Sequence, residues 1–156
     1  NPYSPTPSTH HQPEVLMTQA VETPQKPVPE PNEASRPFFE ASLREELVLP
    51  RCTDCGFFLA LGSRLCATCL GESIEWAPVS GRGTLFTFGI MHQKYHPGFA
   101  SEIPYNVAIV ELEEGPRLQS NIVGIANDEL RVGMPVVVTF ERVSEDVALP
   151  KFRPAL

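Results

Sequence analysis

The pattern of hydrophobic and polar positions predicts a mainly β protein after residue 72. Short apolar or alternating runs are separated by turn signals, as in small all-β domains. The runs cover residues 76–79, 83–92, 107–112, 117–125, 136–143 and 149–153. Short strands at this spacing over about 80 residues fit a small barrel, most commonly the five-stranded oligonucleotide/oligosaccharide-binding (OB) barrel. Gly81 and Gly83 are expected where the first barrel strand bends.

Upstream of the strands, an apolar period of four predicts one helix over residues 35–47. Ser35 is a suitable N-cap, and the residues that recur along one helix face are Phe39, Leu43 and Leu47. The adjacent Phe38 widens this face. The two phenylalanines must be buried, either against the rest of their own domain or against a partner protein. We predict Phe38, Phe39 and Leu43 as partner-binding residues.

The first 34 residues differ in composition from the rest of the chain. Nine of the seventeen prolines lie within the first 37 residues, and such a segment forms neither a helix nor a central strand. It is expected to be an extended linker to an upstream domain or a disordered tail. The chain begins with Asn1 rather than Met, which favours the linker and a piece of a longer polypeptide.

All four cysteines occur as two C-x-x-C pairs between residues 52 and 69. Ten residues separate the pairs, a spacing that suits a compact, rubredoxin-like zinc ribbon. Gly56, directly after the first pair, supplies the left-handed backbone of the turn. Four thiolates fill the tetrahedral shell of zinc, so the predicted site is structural rather than catalytic. The predicted ligands are Cys52, Cys55, Cys66 and Cys69; iron in the same cage and disulfides are the alternatives.

Composition and charge reduce the number of function classes that fit the sequence. The formal net charge is −7, which argues against a protein that binds nucleic acid by neutralising phosphates. No apolar run reaches the roughly 18 residues of a membrane span, and no signal-peptide pattern is present. Cysteines paired at metal spacing fit a reducing cytoplasm. A single-strand-binding OB module remains an alternative, although acidic residues outnumber basic ones after residue 72.

No constellation for catalysis can be assembled from the sequence. His92 and His96 have the i, i+4 spacing of a metal-binding pair on a helix, but they lie at a strand end followed by Pro97 and Gly98. We interpret them as loop residues. No nucleophile elbow, Walker loop or Rossmann fingerprint is found, so no catalytic residues are expected on this chain. An enzyme with unrecognised catalytic residues is a second alternative.

Several motifs in order carry a resemblance to a known family. They are Arg51-Cys52-x-x-Cys55-Gly56, Cys66-x-x-Cys69, Trp76-x-x-Val79-Ser80-Gly81-Arg82-Gly83-Thr84, Pro104-Tyr105-x-Val107-Ala108 and Leu130-Arg131-Val132-Gly133-Met134-Pro135-Val136. Over residues 36–154 the chain resembles the acyl-CoA-associated family called domain of unknown function 35. The resemblance implies a helix at 35–49, a zinc ribbon at 50–75 and an OB barrel at 76–156, with residues 1–34 outside it.

Membership would imply a non-catalytic subunit that binds a thiolase-like enzyme. In steroid-degrading actinobacteria, a similar domain follows a MaoC-like enoyl-CoA hydratase domain and partners a thiolase-like aldolase. The resemblance therefore implies a hetero-oligomer, such as a heterotetramer, and a retro-aldol cleavage that releases propionyl-CoA from a steroid side chain. A thiolase or acyltransferase complex with a different acyl-CoA is the alternative within the family.

The resemblance further implies that the helix, with Phe38 and Phe39, and the ribbon face present apolar surface to the partner, and that the barrel mouth lies beside the acyl-CoA. The loop from Met91 to Ile103 is expected to wall a channel for the thioester. Arg82, Lys94 or Arg117 would then contact the CoA phosphates; the alternative is that they are solvated strand residues.

Overall fold

The computed structural model describes residues 25–156. The predicted linker is described only from residue 25 onward, and its first 24 residues lie outside the described part. Residues 25–35 contain no helix or strand. The elements in chain order are α1 (Arg36–Leu43), β1 (Val48–Cys52), β2 (Ile74–Pro78), β3 (Arg82–Met91), β4 (Tyr105–Leu112), β5 (Arg117–Ser120), β6 (Pro135–Arg142) and β7 (Ala148–Pro154). Over the described range, no helix is long and apolar enough to cross a bilayer.

Five antiparallel strands form a curled sheet in the order β5-β4-β3-β6-β7. A parallel bridge between Ile122 and Phe152 joins the two edges. The Phe152 N–H donates to the Asn121 carbonyl at 3.0 Å, and the Val123 N–H donates to the Phe152 carbonyl at 2.7 Å. This order and closure are those of an OB-like barrel, so the predicted fold class is confirmed.

Strand β3 lies between two neighbours at its start. It pairs with β6 only over Arg82–Thr84 and with β4 along most of its length, with a β-bulge between Leu85 and Thr87. This register shift lies a few residues after Gly81 and Gly83, and the bend expected at these two glycines stays a prediction. Gly83 allows a close approach of the strands, because a Cβ there would collide with the carbonyl oxygen of Glu111 on β4.

The run that begins at Trp76 belongs to a separate sheet rather than to the barrel. Strands β1 and β2 pair antiparallel, with Pro50 opposite Trp76 and Cys52 opposite Ile74. On its other side, β1 forms a bridge from Arg51 to Phe58. The cysteine segment is thus a small ribbon whose first and last strands lie side by side.

The helix is shorter than predicted and ends at Leu43 rather than at Leu47. The Glu46 N–H donates to the Ala41 carbonyl at 3.0 Å and the Glu45 N–H to the Ser42 carbonyl at 3.1 Å. Glu45 has a φ of 60°, so the end is a Schellman motif with glutamate at the left-handed position. Ser35 is the N-cap residue, as predicted, but its side chain caps no helix N–H.

One hydrophobic core joins the helix, the ribbon sheet and the barrel. Its buried members from these three parts include Phe38, Leu49 and Phe152, and Trp76 packs against it. Phe38 is only 7% exposed, so its side chain is used within the chain. Phe39 and Leu43 are half-buried and keep some accessible surface.

Candidate metal centre and its surroundings

Each cysteine pair lies in a tight turn of the same hydrogen-bonding pattern. In the first turn the Gly56 N–H donates to the Cys52 carbonyl at 2.8 Å, and in the second the Leu70 N–H donates to the Cys66 carbonyl at 2.9 Å. The residue after the second cysteine has a positive φ in both turns, 76° at Gly56 and 60° at Leu70. The sequence predicted the first of these positions from its glycine and gave no indication of the second.

The two turns bring the four sulfur atoms together. All four Sγ atoms lie within 4.8 Å of one another. The Sγ atoms of Cys52 and Cys69 are 3.5 Å apart, as are those of Cys55 and Cys66. Four ligands about 2.3 Å from a zinc ion in a tetrahedron would be about 3.8 Å apart, whereas a disulfide needs about 2.05 Å. The cluster therefore has the size of a metal cage, and the cysteines are free thiols.

The chemistry of the thiols also fits a cation. Backbone N–H groups, first that of Cys69 and then that of Thr68, lower the pKa of Cys66 to about 6. The Gly71 N–H lowers the pKa of Cys69, but the sulfurs of Cys52 and Cys55 outweigh it and raise that pKa to about 12. Thiolates this close repel one another, and a divalent cation at their centre removes that repulsion. These four residues can hold a metal ion.

The ribbon has little else to hold it together. Its own buried cluster consists of Cys52, Leu59 and Cys66, with Ile74 packed against it. Cys55 and Cys69 are exposed. Because this small cluster offsets little of the conformational entropy of the segment, a metal ion held by the four cysteines would stabilise it.

The structure does not bring His92 and His96 into a ligand group. Both are exposed, and His96 Nδ1 instead accepts a hydrogen bond from the Gly98 N–H at 3.0 Å, at the start of a 3₁₀ turn. Across residues 25–156, the cysteine cluster is the one group of three or more His, Cys, Asp or Glu side chains close enough for a metal. The interpretation of the histidines as loop residues agrees with this placement.

Two of the three basic residues suggested for CoA phosphates are engaged by carboxylates. Arg82 lies 3.4 Å from Glu113, and Arg117 donates to Glu111 at 2.8 Å. Lys94 is exposed and forms no ion pair with the described residues. These pairs leave less positive charge for a phosphate than the sequence suggested.

The loop from Met91 to Ile103 lies at one end of the barrel. It contributes Phe99 and Glu102 to a cavity of about 940 Å³ that Gln25–Val28 also lines. Lys26 forms an ion pair with Glu102. At the cavity floor, burial lowers the pKa of Lys151, while the nearby carboxylate of Glu141 acts in the opposite direction. The segment Gln25–Val28 of the same chain forms one side of the cavity.

Comparison with known proteins gives a consistent set of relatives. The profile of the ChsH2 C-terminal OB-fold domain matches residues 76–141. A DUF35 domain-containing scaffold protein of Methanocaldococcus jannaschii is 33% identical over 101 residues, which are 64% of this chain and 71% of that protein. The ChsH2 match lies on strands of the barrel, and the scaffold protein matches over most of its own length.

Two longer relatives carry hydratase names. The probable enoyl-CoA hydratase alpha subunit of Thermomonospora curvata is 38% identical over 133 residues, 84% of this chain. The 3-oxo-4,17-pregnadiene-20-carboxyl-CoA hydratase alpha subunit of Mycobacterium tuberculosis is 39% identical over 67 residues, 43% of this chain. The chain spans only 40% and 21% of the lengths of these two proteins.

A solved structure extends the similarity to three dimensions. A chain of the Ltp2-ChsH2(DUF35) aldolase superposes with a TM-score of 0.74 at 36% identity. The match covers 83% of this chain and all of the other. The shared part therefore includes more than the barrel.

Proposed function

Because the chain belongs to the DUF35 family, we propose that it is a non-catalytic scaffold domain that binds a thiolase-like enzyme acting on an acyl-CoA. The observation that carries the proposal is the match along the full length of the chain from the Ltp2-ChsH2(DUF35) aldolase. The name of the archaeal relative, a scaffold protein, agrees with it. The catalytic groups would then lie on the partner, in a hetero-oligomer such as a heterotetramer.

The metal of the ribbon is proposed to be zinc. Four thiolates suit zinc and leave no open coordination position for substrate, so the ion would support the fold rather than the reaction. The ribbon, assigned to residues 50–75, would fix the helix at 35–49 relative to the barrel at 76–156. Residues 1–34 would connect to an upstream MaoC-like hydratase domain. Free thiols at a metal site also favour a reducing compartment, the cytoplasm.

For the reaction of the complex, we propose a retro-aldol cleavage of a β-hydroxyacyl-CoA from a steroid side chain. The bond between the α and β carbons breaks, the β hydroxyl loses its proton and becomes a ketone, and the α carbon takes up a proton to give propionyl-CoA. The substrate class is supported by the name of the Mycobacterium tuberculosis relative. A different acyl-CoA in the same kind of complex is the alternative.

The proposal is tested by purifying the tagged chain from its native lysate and identifying bound proteins by mass spectrometry. The expected result is a thiolase-like protein in a fixed ratio to the chain and one zinc per chain by elemental analysis. A matched preparation with Cys55→Ser and Cys69→Ser, the two exposed ligands, should contain no zinc. Recovery of no thiolase-like protein, or a salt-sensitive complex with single-stranded nucleic acid instead, would overturn the proposal.

A further inference from the structure

The exposed apolar surface of the chain is concentrated on the ribbon. Four of the nine large hydrophobic side chains that are exposed in the described part lie between residues 57 and 70, namely Phe57, Leu61, Leu65 and Leu70. None lies on α1. Folded domains place such side chains together at the surface mainly where another molecule covers them. The helix face, from which a partner contact was predicted, is less available than the ribbon.

Part of this surface forms a groove between the ribbon and the barrel. One wall is the ribbon segment from Phe57 to Ala60 with Leu65 and Ala67, and the other is the β4–β5 turn, including Gly115 and Pro116. Its volume is about 410 Å³. A groove with an apolar floor and two walls from different structural units suits an inserted side chain or a ridge of a second protein.

Arg117 lies at the rim of the groove with its guanidinium held in one orientation. The Arg117 guanidinium stacks on the ring of Phe86, with its carbon 3.6 Å from the ring centroid. Its Nε donates to Glu111 at 2.8 Å, so its orientation is fixed on two sides. The terminal nitrogens of Arg117 have no hydrogen-bond partner within residues 25–156 and remain for a carboxylate of a bound protein.

Two charged residues, Glu111 and Arg117, belong to the lining of the groove. Arg51, Arg64 and Arg117 lie on the two walls or beside them, and Arg51 also stacks on a ring, that of Phe58 at 5.7 Å. The segment between residues 51 and 70 carries two arginines and one aspartate, and Glu72 and Glu75 follow it within the ribbon. Because Glu111 already accepts a hydrogen bond from Arg117 Nε, the terminal guanidinium nitrogens favour a carboxylate of a bound protein over a basic group. Arginine and phenylalanine are both enriched at protein interfaces, and arginine is among the residues that contribute most to the binding energy.

We infer that the ribbon–barrel groove is the docking surface for the thiolase-like subunit. This inference rests on the proposed function and specifies its interface. The occupant is an apolar ridge of that subunit with a carboxylate beside it, which would fill the groove and accept hydrogen bonds from Arg117.

The test measures binding of purified chains to the recombinant thiolase-like protein recovered in the pull-down. Two variants change the groove: Ala60→Trp fills it from the ribbon wall, and Arg117→Ala removes the oriented guanidinium. Their matched controls, Ala155→Trp and Arg153→Ala, make the same changes at exposed positions of the chain that do not line the groove. Both groove variants should raise the dissociation constant at least about tenfold, and both controls should stay within about twofold of the wild type.

Zinc content and the midpoint of thermal unfolding show whether each variant is folded. If Ala60→Trp is not folded, Arg117→Ala decides, because it truncates an exposed side chain only. Unchanged binding of the folded groove variants overturns the inference while the proposed function stands. If the wild-type chain captures no thiolase-like protein, both the inference and the proposed function are overturned. Self-association of the chain that Ala60→Trp abolishes would assign the groove to a second copy and overturn the inference as well.

Discussion

At the scale of single residues, the two cysteine turns each require a positive φ at one position. Both turns need a left-handed residue after the second cysteine, and Gly56 takes that conformation without cost. Leu70 adopts it with a φ of 60°, which costs about 1 kcal/mol or more for a residue with a Cβ. Because the Leu70 side chain is 69% exposed, packing does not compensate for this strain.

We predict that Leu70→Gly stabilises the chain by up to about 1 kcal/mol, because it removes the strain of the left-handed position. The gain is limited by the greater freedom of glycine in the unfolded state. Urea unfolding of the metal-loaded protein measures the change. Leu61→Gly is the matched control: it removes an exposed leucine of the ribbon that has no positive φ and should destabilise slightly. A loss of stability in Leu70→Gly equal to that of the control would contradict the explanation.

The sequence was most informative where a residue type is tied to one kind of chemistry. The four cysteines were predicted as one cluster from their spacing, and their sulfur atoms do lie within 4.8 Å. Leu70 and Glu45, both at positive φ, could not be predicted, because neither is the glycine or asparagine that marks such positions. The sequence placed the partner contact on Phe38, Phe39 and Leu43, and this contact stays a prediction. Phe38 is buried, which depends on tertiary packing that periodicity does not reveal.

At the scale of elements, the end of the helix and the neighbour of one strand were predicted incorrectly. The helix was expected to continue to Leu47, because that residue fits the apolar period, yet it ends at Leu43. Leu47 is buried all the same, so the period was correct for burial and wrong for helix length. The Trp76–Val79 run was assigned to the barrel, since alternation identifies a strand but not its neighbour; β2 pairs with β1.

Strand β3 provides the test at this scale, because its pairing with β4 leaves no room at Gly83. We predict that Gly83→Ala destabilises the barrel by about 1–3 kcal/mol, the usual cost of forcing extra volume into a packed site. The added Cβ would collide with the backbone carbonyl of Glu111, which cannot swing away as a side chain can. Chemical denaturation followed by circular dichroism measures the change.

Gly89 is the matched control on the same strand. A Cβ there meets only the terminal methyl of Met91, at 3.5 Å, and its φ is not in the left-handed region. Gly89→Ala should therefore be neutral or slightly stabilising. If the two alanine variants unfold at the same denaturant concentration, close approach of β3 to β4 is not what requires glycine at position 83.

At the scale of the whole molecule, one hydrophobic core connects the barrel and the ribbon, which are stabilised in different ways. The barrel has its own buried side chains, whereas the ribbon depends on the four thiols and a few apolar residues. Phe38 and Leu49 link the helix and the ribbon sheet to the barrel. The result is one folded unit with an apolar ribbon face.

The class and topology of the fold were accessible from sequence because strand spacing and the cysteine pairs limit the choices strongly. The interface was accessible only in part, because the resemblance indicated the ribbon face but not which of its side chains remain exposed after folding. Phe57 and Leu65 read as ordinary apolar residues of the ribbon and are about half exposed. Only the folded chain places them opposite Gly115 and Pro116.

The most direct measurement uses chromatography to detect the release of propionyl-CoA from the steroid β-hydroxyacyl-CoA. It compares the isolated chain, the isolated thiolase-like protein and the purified complex at equal concentrations. We expect release by the complex and none by the isolated chain. Cleavage of the carbon–carbon bond by the isolated chain would contradict the claim that this protein is a scaffold and that its partner carries the catalytic groups.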